Sequence, residues 1–153
     1  MRILSAPLNG KSGHEVGLSL LKTLYGSPLP EIAHTPMGKP YFIDSPLHFS
    51  ISHTKHYAFC VLSDKPVGID AEEMSRQINP ALAEKILSPG ELAQCRLSAD
   101  PNRALLTFWV LKEAAGKCTG EGLRVYPNHT NFSLNDPRVR ELDGCLVAVI
   151  EQD

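Results

Sequence analysis

Two short stretches carry residue types and spacings that could do phosphate chemistry. In "VGIDAEE" (67–73), Asp70 and Glu72 stand two apart. On a strand, residues two apart face the same side, so their carboxylates lie next to each other. Carboxylates that close repel unless a divalent cation sits between them, and oxygen ligands without cysteine or histidine suit magnesium. The plainer alternative is a solvated strand end, where acids are common. In "TFWVLKEAAGKCTGEGL" (107–123), Trp109, Glu113 and Lys117 recur at i, i+4 and i+8, on one face of a helix. Glu113 and Lys117 read either as a surface ion pair, worth only ~0.3–0.5 kcal/mol, or as groups facing a site. The small residues Ala114, Ala115 and Gly116 beside them let a ligand or another backbone come close.

Further upstream, "FSISHT" (49–54) predicts Ser50, Ser52 and Thr54 on one strand face and Ile51 and His53 on the other. His53 could donate to a phosphate or be satisfied within the fold. His48, His53, His56 and Cys60 match no closed zinc spacing. "HTPMGKPYF" (34–42) contains Gly38-Lys39 but is not a P-loop. Ala33 stands five before Gly38, and Pro40 stands where Ser or Thr is required. Lys39 is therefore an exposed cation on an extended loop, able to meet a phosphate or a base face, or simply to solvate a turn.

The elements that must position these groups are legible. "MRILSAPL" predicts a strand, and "SGHEVGLSLLKTLYG" a helix stopped at Gly26. The proline-rich "SPLPEIAHTPMGKP" predicts a loop or extended edge. "YFI", "LHFSIS", "YAFCVLS" and "VGIDAE" follow as short strands rich in β-branched and aromatic residues. "NPALAEKIL" predicts a short helix. "SPGE" (88–91) is a capping box opening a helix to about Leu97. Asp100 and Pro101 open the long helix, which runs to about Cys118 with a core stripe of Leu105, Phe108, Leu111 or Lys112, Ala115 and Cys118; "TGEG" ends it. "TNFSL" and "CLVAVIE" predict closing strands. Hairpins and helices without regular βαβ units indicate an α+β fold.

Composition excludes several classes. The 153 residues suffice for one compact domain, with 42% hydrophobic and 21% charged residues. A formal charge of −2 gives no pull toward nucleic acid or an anionic membrane. Apolar runs fall far short of the ~20 residues of a membrane span, and the N-terminus fails as a signal peptide. Four scattered cysteines, with no C-x-x-C pair, fit reduced thiols and a cytoplasmic protein.

No single element decides the function, but the ordered set "GKPYF", "FSISHT", "VGIDAEE" and "FWVLKEAAGKCTGEGL" resembles the 4′-phosphopantetheinyl transferase superfamily. The spacing is more similar to the larger surfactin-synthetase-type branch than to the small holo-acyl-carrier-protein synthase branch, which lacks the "GKP" and "SH" elements. The resemblance covers Gly38 to Leu123. It implies a single 4′-phosphopantetheinyl transferase domain over 1–153, built as two pseudo-symmetric halves (about 1–65 and 66–153) with the active site between them. The implied reaction is Mg²⁺-dependent transfer of 4′-phosphopantetheine from coenzyme A to a serine of an apo acyl or peptidyl carrier protein, releasing 3′,5′-ADP. Residue by residue, the resemblance implies that Asp70 and Glu72 hold magnesium. It makes Glu113 the acid that completes that site and the candidate base for the carrier serine. It sets Lys117 on the coenzyme A phosphates, Lys39 and Pro40 against the adenine end, and Ser52 with His53 near the 3′-phosphate. Because both halves lie in one chain, it implies a monomer.

The sequence departs from that pattern. Ser50 replaces the usual asparagine, Thr54 a serine and Ala71 a larger aliphatic residue. Only 69 residues precede Asp70, and Glu15 stands where the branch carries an arginine for the 3′-phosphate, leaving Lys11, Lys22 and His34 as substitutes. The alternative reading is a non-catalytic module of the same fold that binds coenzyme A or a carrier; a third is a magnesium phosphohydrolase. An acidic carrier would meet a basic rim drawn from Arg76, Lys85, Arg96 or Arg103.

Overall fold

The computed structural model describes residues 1–124 and 130–153. In chain order the elements are β1 (Arg2–Pro7), α1 (Gly13–Tyr25), β2 (Ile32–His34), β3 (Pro40–Phe42), β4 (His48–His53), β5 (Tyr57–Ser63) and β6 (Val67–Glu73). Then follow α2 (Pro80–Ile86), α3 (Pro89–Leu97), α4 (Pro101–Thr119), a 3-10 turn (Gly122–Arg124), β7 (Val139–Leu142) and β8 (Cys145–Glu151). The strands form two three-stranded sheets, ordered β1-β5-β4 and β6-β8-β7, and a small β2-β3 ribbon. All these pairings are antiparallel, as the α+β reading requires.

Local chemistry sets the helix ends. The Ser12 hydroxyl accepts from the Glu15 N–H at the start of α1, and Gly26, at φ 102°, ends it. Ser88 and Glu91 form the reciprocal capping box of α3. Asp100 caps α4, and Gly120 closes it in the left-handed conformation at φ 81°, returning its N–H to the Gly116 carbonyl.

One expectation is narrowed and another changes. Within the proline-rich stretch, read as a loop or extended edge, Ile32–His34 takes the extended alternative as β2, and the rest of that reading stands. "TNFSL", expected as a strand, is not one, and the closing hairpin pairs β7 with β8 instead. Backbone groups of that stretch are taken by buried side chains: the Phe132 N–H donates to Glu91 Oε2 at 2.8 Å, and Lys112 donates to the Thr130 carbonyl.

Period-two alternation sorts the core. On β5, Ala58, Cys60 and Leu62 face α1, while Phe59 and Val61 meet Val67, Ile69 and Ala71 of β6. On β8, Cys145, Val147 and Val149 join that inter-sheet cluster, and Leu146, Ala148 and Ile150 pack under α4. The α4 stripe differs from expectation. Leu106, Val110 and Ala114 are fully buried, Leu105 and Ala115 only partly, because α4 is wrapped by the second sheet, α2 and α3. Lys112 is buried within this shell and pairs with buried Glu91 at 2.8 Å.

Candidate functional site

Gly68 sets the geometry. A Cβ there would lie 2.1 Å from the Ala114 carbonyl oxygen and 2.4 Å from the Cys118 nitrogen. Only glycine lets the α4 backbone rest directly on this face of β6. Because side chains alternate, the same face carries Asp70 and Glu72, so Glu113 and Lys117 come down upon them. Lys117 Nζ donates to Asp70 Oδ1 at 3.2 Å, to the Ile69 carbonyl at 3.0 Å and to the Ile51 carbonyl at 3.4 Å. All three of its N–H donors have partners.

Asp70 is 6% exposed, and its Oδ2 is buried without a hydrogen-bond partner. Burial pushes its carboxyl from the usual 3.8 up to about 7; Lys117 pulls it down, while Glu113 and Glu72 push it further up. Burial likewise raises Glu72, opposed by the charge and hydrogen bond of Arg76 and by a hydrogen bond from Trp109. Burial raises Glu113 too, with Lys117 opposing and Glu72 reinforcing. Three oxygen acids raised by burial, with Asp70 pushed further by both of the others and Glu113 by Glu72, and with one bare buried oxygen, suit a hard divalent cation. The fit is incomplete as the side chains stand: among the described residues no three His, Cys, Asp or Glu side chains are already gathered as a metal requires. Lys117 and Arg76 hold Asp70 and Glu72 instead.

The first half contributes directly. The Ser50 and Ser52 hydroxyls of β4 accept the N–H groups of Ile69 (3.1 Å) and Ala71 (3.2 Å), pinning the backbone on either side of Asp70. Ser52 also donates to Asp70 Oδ1 at 3.5 Å. Ser52 is therefore buried in the joint between the sheets. Lys39 crosses from the β2-β3 ribbon to α4: its methylenes lie along Gly120 and its ammonium donates to the Cys118 carbonyl at 2.5 Å. Desolvation lowers the Lys39 pKa, against a raising effect of Cys118.

Two cavities flank this bridge. One of about 260 Å³ is bordered by Gly38, Lys39, Pro40, Gly116, Lys117 and Gly120. The other, of about 430 Å³, is bordered by His14, His34 and His53. They share Pro40, Phe49 and Ile51, so they are neighbours on β4, a trough in two parts. The His53 ring lies against Gly13, where a Cβ would come within 2.1 Å of it. The expected residues thus fall into an acid cluster (Asp70, Glu72, Glu113, with Lys117 and Ser52) and a trough (Lys39, Pro40, His53, with His34). Lys11 and Lys22 border a different cavity, beside Asn9 and Glu15.

Sequence reasoning did not reach the roles of Gly68, Ser50 and the Glu91–Lys112 pair. The signal for Gly68 was present, two residues before Asp70 on the same strand face. Arg76, expected on a docking rim, hydrogen-bonds Glu72 and lies 5.4 Å over the Trp109 ring; Arg103, expected there too, pairs with Glu141 at 2.5 Å.

The family model of the 4′-phosphopantetheinyl transferase superfamily matches residues 66–145. A 4′-phosphopantetheinyl transferase of Aneurinibacillus migulanus is 34% identical over 90 residues, 58% of this chain and 37% of that protein. One of Bacillus subtilis is 32% identical over 103 residues, covering 65% of this chain and 45% of the relative. One of Bacillus pumilus is 34% identical over 110 residues, covering 68% and 46%. The chain thus spans less than half the length of these relatives.

Proposed function

The chain belongs to the 4′-phosphopantetheinyl transferase superfamily, and from that premise we propose that it transfers the phosphopantetheine arm of coenzyme A to a serine of an apo acyl or peptidyl carrier protein. The carrying observation is the acid cluster around the bare Asp70 Oδ2 beneath Lys117. In this reading the carrier serine oxygen forms a bond to the phosphorus bearing the pantetheine arm. The bond from that phosphorus to the bridging oxygen breaks, and 3′,5′-ADP leaves with the electron pair. Magnesium held by Asp70, Glu72 and Glu113 supplies charge neutralisation on the pyrophosphate when bound.

The chain's own groups do the rest. Lys117, seated on the Ile51 and Ile69 carbonyls, turns its third donor from Asp70 to a phosphate oxygen once that carboxylate is otherwise engaged. Glu113, half-buried with a raised pKa, takes the serine proton. The trough from Lys117 past Pro40 to His34 and His53 receives the nucleotide end of coenzyme A. Lys39 and Pro40 line the adenine end, and His53 with His34 meets the 3′-phosphate. Ser52 keeps its place in the sheet joint. The two halves act as one pseudo-symmetric domain, supported by their matching sheet orders: each sets its last strand between its first and its middle one. Since Lys39 and Ser52 meet α4 and β6 within one chain, a monomer suffices.

The test is to incubate the protein with coenzyme A, Mg²⁺ and several apo carriers, then weigh the carriers. A phosphopantetheine mass increment that disappears with chelator and in Asp70→Ala supports the transfer. No increment on any carrier, with coenzyme A still bound, makes the protein a non-catalytic binding module.

A further inference from the structure

Glu72 has a resident counter-cation. Its carboxylate accepts a hydrogen bond from the Arg76 guanidinium, which reaches back from the turn leaving β6. That guanidinium also lies 5.4 Å from the centroid of the Trp109 ring, on the α4 face that carries Glu113 and Lys117. The Arg76 backbone is anchored: its N–H donates to the Glu73 carbonyl at 3.0 Å, and its carbonyl accepts from Asn102 Nδ2 at 3.0 Å. Its side chain is 42% exposed, so it can leave Glu72 for water without moving the chain. Around Asp70 the described residues set three carboxylates against two cations, Lys117 and Arg76, and Asp70 Oδ2 remains without a partner.

We propose that Arg76 is a displaceable stand-in for the divalent ion, neutralising Glu72 while the metal is absent and leaving both Glu72 and Trp109 when the metal takes the carboxylates. The inference rests on the metal reading of Asp70, Glu72 and Glu113 proposed above. A guanidinium and a dication cannot share one carboxylate at low cost, because like charges a few ångströms apart repel. The dication wins because it engages several carboxylates at once, whereas Arg76 holds one in a half-exposed pair. Arg76 therefore lowers metal affinity and keeps Glu72 oriented in the waiting protein.

Trp109 is the only tryptophan in the chain and touches both Arg76 and Glu72, so its emission reports the departure of the guanidinium as the difference between the wild type and an Arg76 variant. The full chain is titrated with Mg²⁺, alone and with coenzyme A present, following Trp109 fluorescence and binding heat. The wild-type emission shifts in step with binding. Arg76→Gln binds Mg²⁺ about two- to fivefold more tightly, the fold-change equivalent to removing one half-exposed competing pair, and its emission change is smaller than the wild type's, keeping only the part that comes through the Glu72–Trp109 hydrogen bond. Arg76→Lys, which keeps the charge, stays near the wild-type affinity. If the wild type binds Mg²⁺ with unmoved emission, or Arg76→Gln binds equally or more weakly, the Arg76 role is overturned while the metal reading stands. If the wild type takes up no Mg²⁺ under either condition, the metal reading fails and this inference with it.

Discussion

At Asp70, burial and charge give a pH dependence of definite sign. The unfolded chain ionises this group near 3.8, the folded metal-free protein near 7. Across that window the folded state retains a proton that the unfolded state has lost. Stability is therefore highest at the acid end and falls as pH rises from about 4 to about 7. Glu72 and Glu113 are raised as well and add in the same direction. Divalent ions favour the ionised carboxylates, so Mg²⁺ stabilises progressively more over the same range. Thermal melts across this range, in chelator and in Mg²⁺, check both trends, and Asp70→Asn is expected to remove most of the chelator slope. A flat chelator profile in the wild type would contradict the burial argument.

The contact of β6 with α4 depends on one absent side chain. Gly68→Ala places a methyl against backbone atoms of α4 at 2.1 Å, which cannot rotate aside. The helix must lift, at a cost of roughly 1–3 kcal/mol or more, and Glu113 and Lys117 move away from Asp70. A lowered denaturant midpoint together with lost carrier modification is the expected result; an unchanged midpoint would show that α4 has slack. The junction of α3, α4 and residues 130–132 depends on Glu91 and Lys112, both almost fully buried. Lys112→Met leaves Glu91 charged and unpaired, costing about 3–5 kcal/mol. Adding Glu91→Leu recovers only part of this in a denaturation cycle, because the Ser88 and Phe132 N–H groups lose their acceptor. The close approach does not show in periodicity, and the buried pair shows only in part: helical spacing offers Lys112 as an alternative core position, but nothing in it names Glu91 as the partner.

Across the whole molecule, the two halves join through a shared apolar cluster, the Ser50 and Ser52 pins, and the Lys39 bridge. Lys39→Ala removes a charge-assisted bond to the α4 terminus and is expected to cost about 1 kcal/mol. Amide exchange should then quicken at Gly120 and in the 35–39 loop, while the β6-β8 ladder keeps its protection. Uniform loss of protection would instead mean that the halves unfold as one unit. Among the described residues no helix is long and apolar enough to cross a membrane.

The sequence by itself determined most of the elements, their caps and the facing of their side chains; the exceptions are the strand expected at 130–134 and the unexpected β7. Capping boxes, left-handed glycines and the periods of strand and helix depend only on near neighbours, and so the acids of β6 and the Glu113–Lys117 face of α4 were legible. Only the tertiary structure decided which polar groups hold which. Lys117 reaches Asp70 across 47 positions, and Lys39 reaches the Cys118 carbonyl across 79. Ser52, expected beside a ligand, serves the joint between the sheets, and Arg76, expected on a rim, sits on Glu72. Such pairings follow from how closely two sheets and a helix approach, and that distance is set by packing, with Gly68 at its centre.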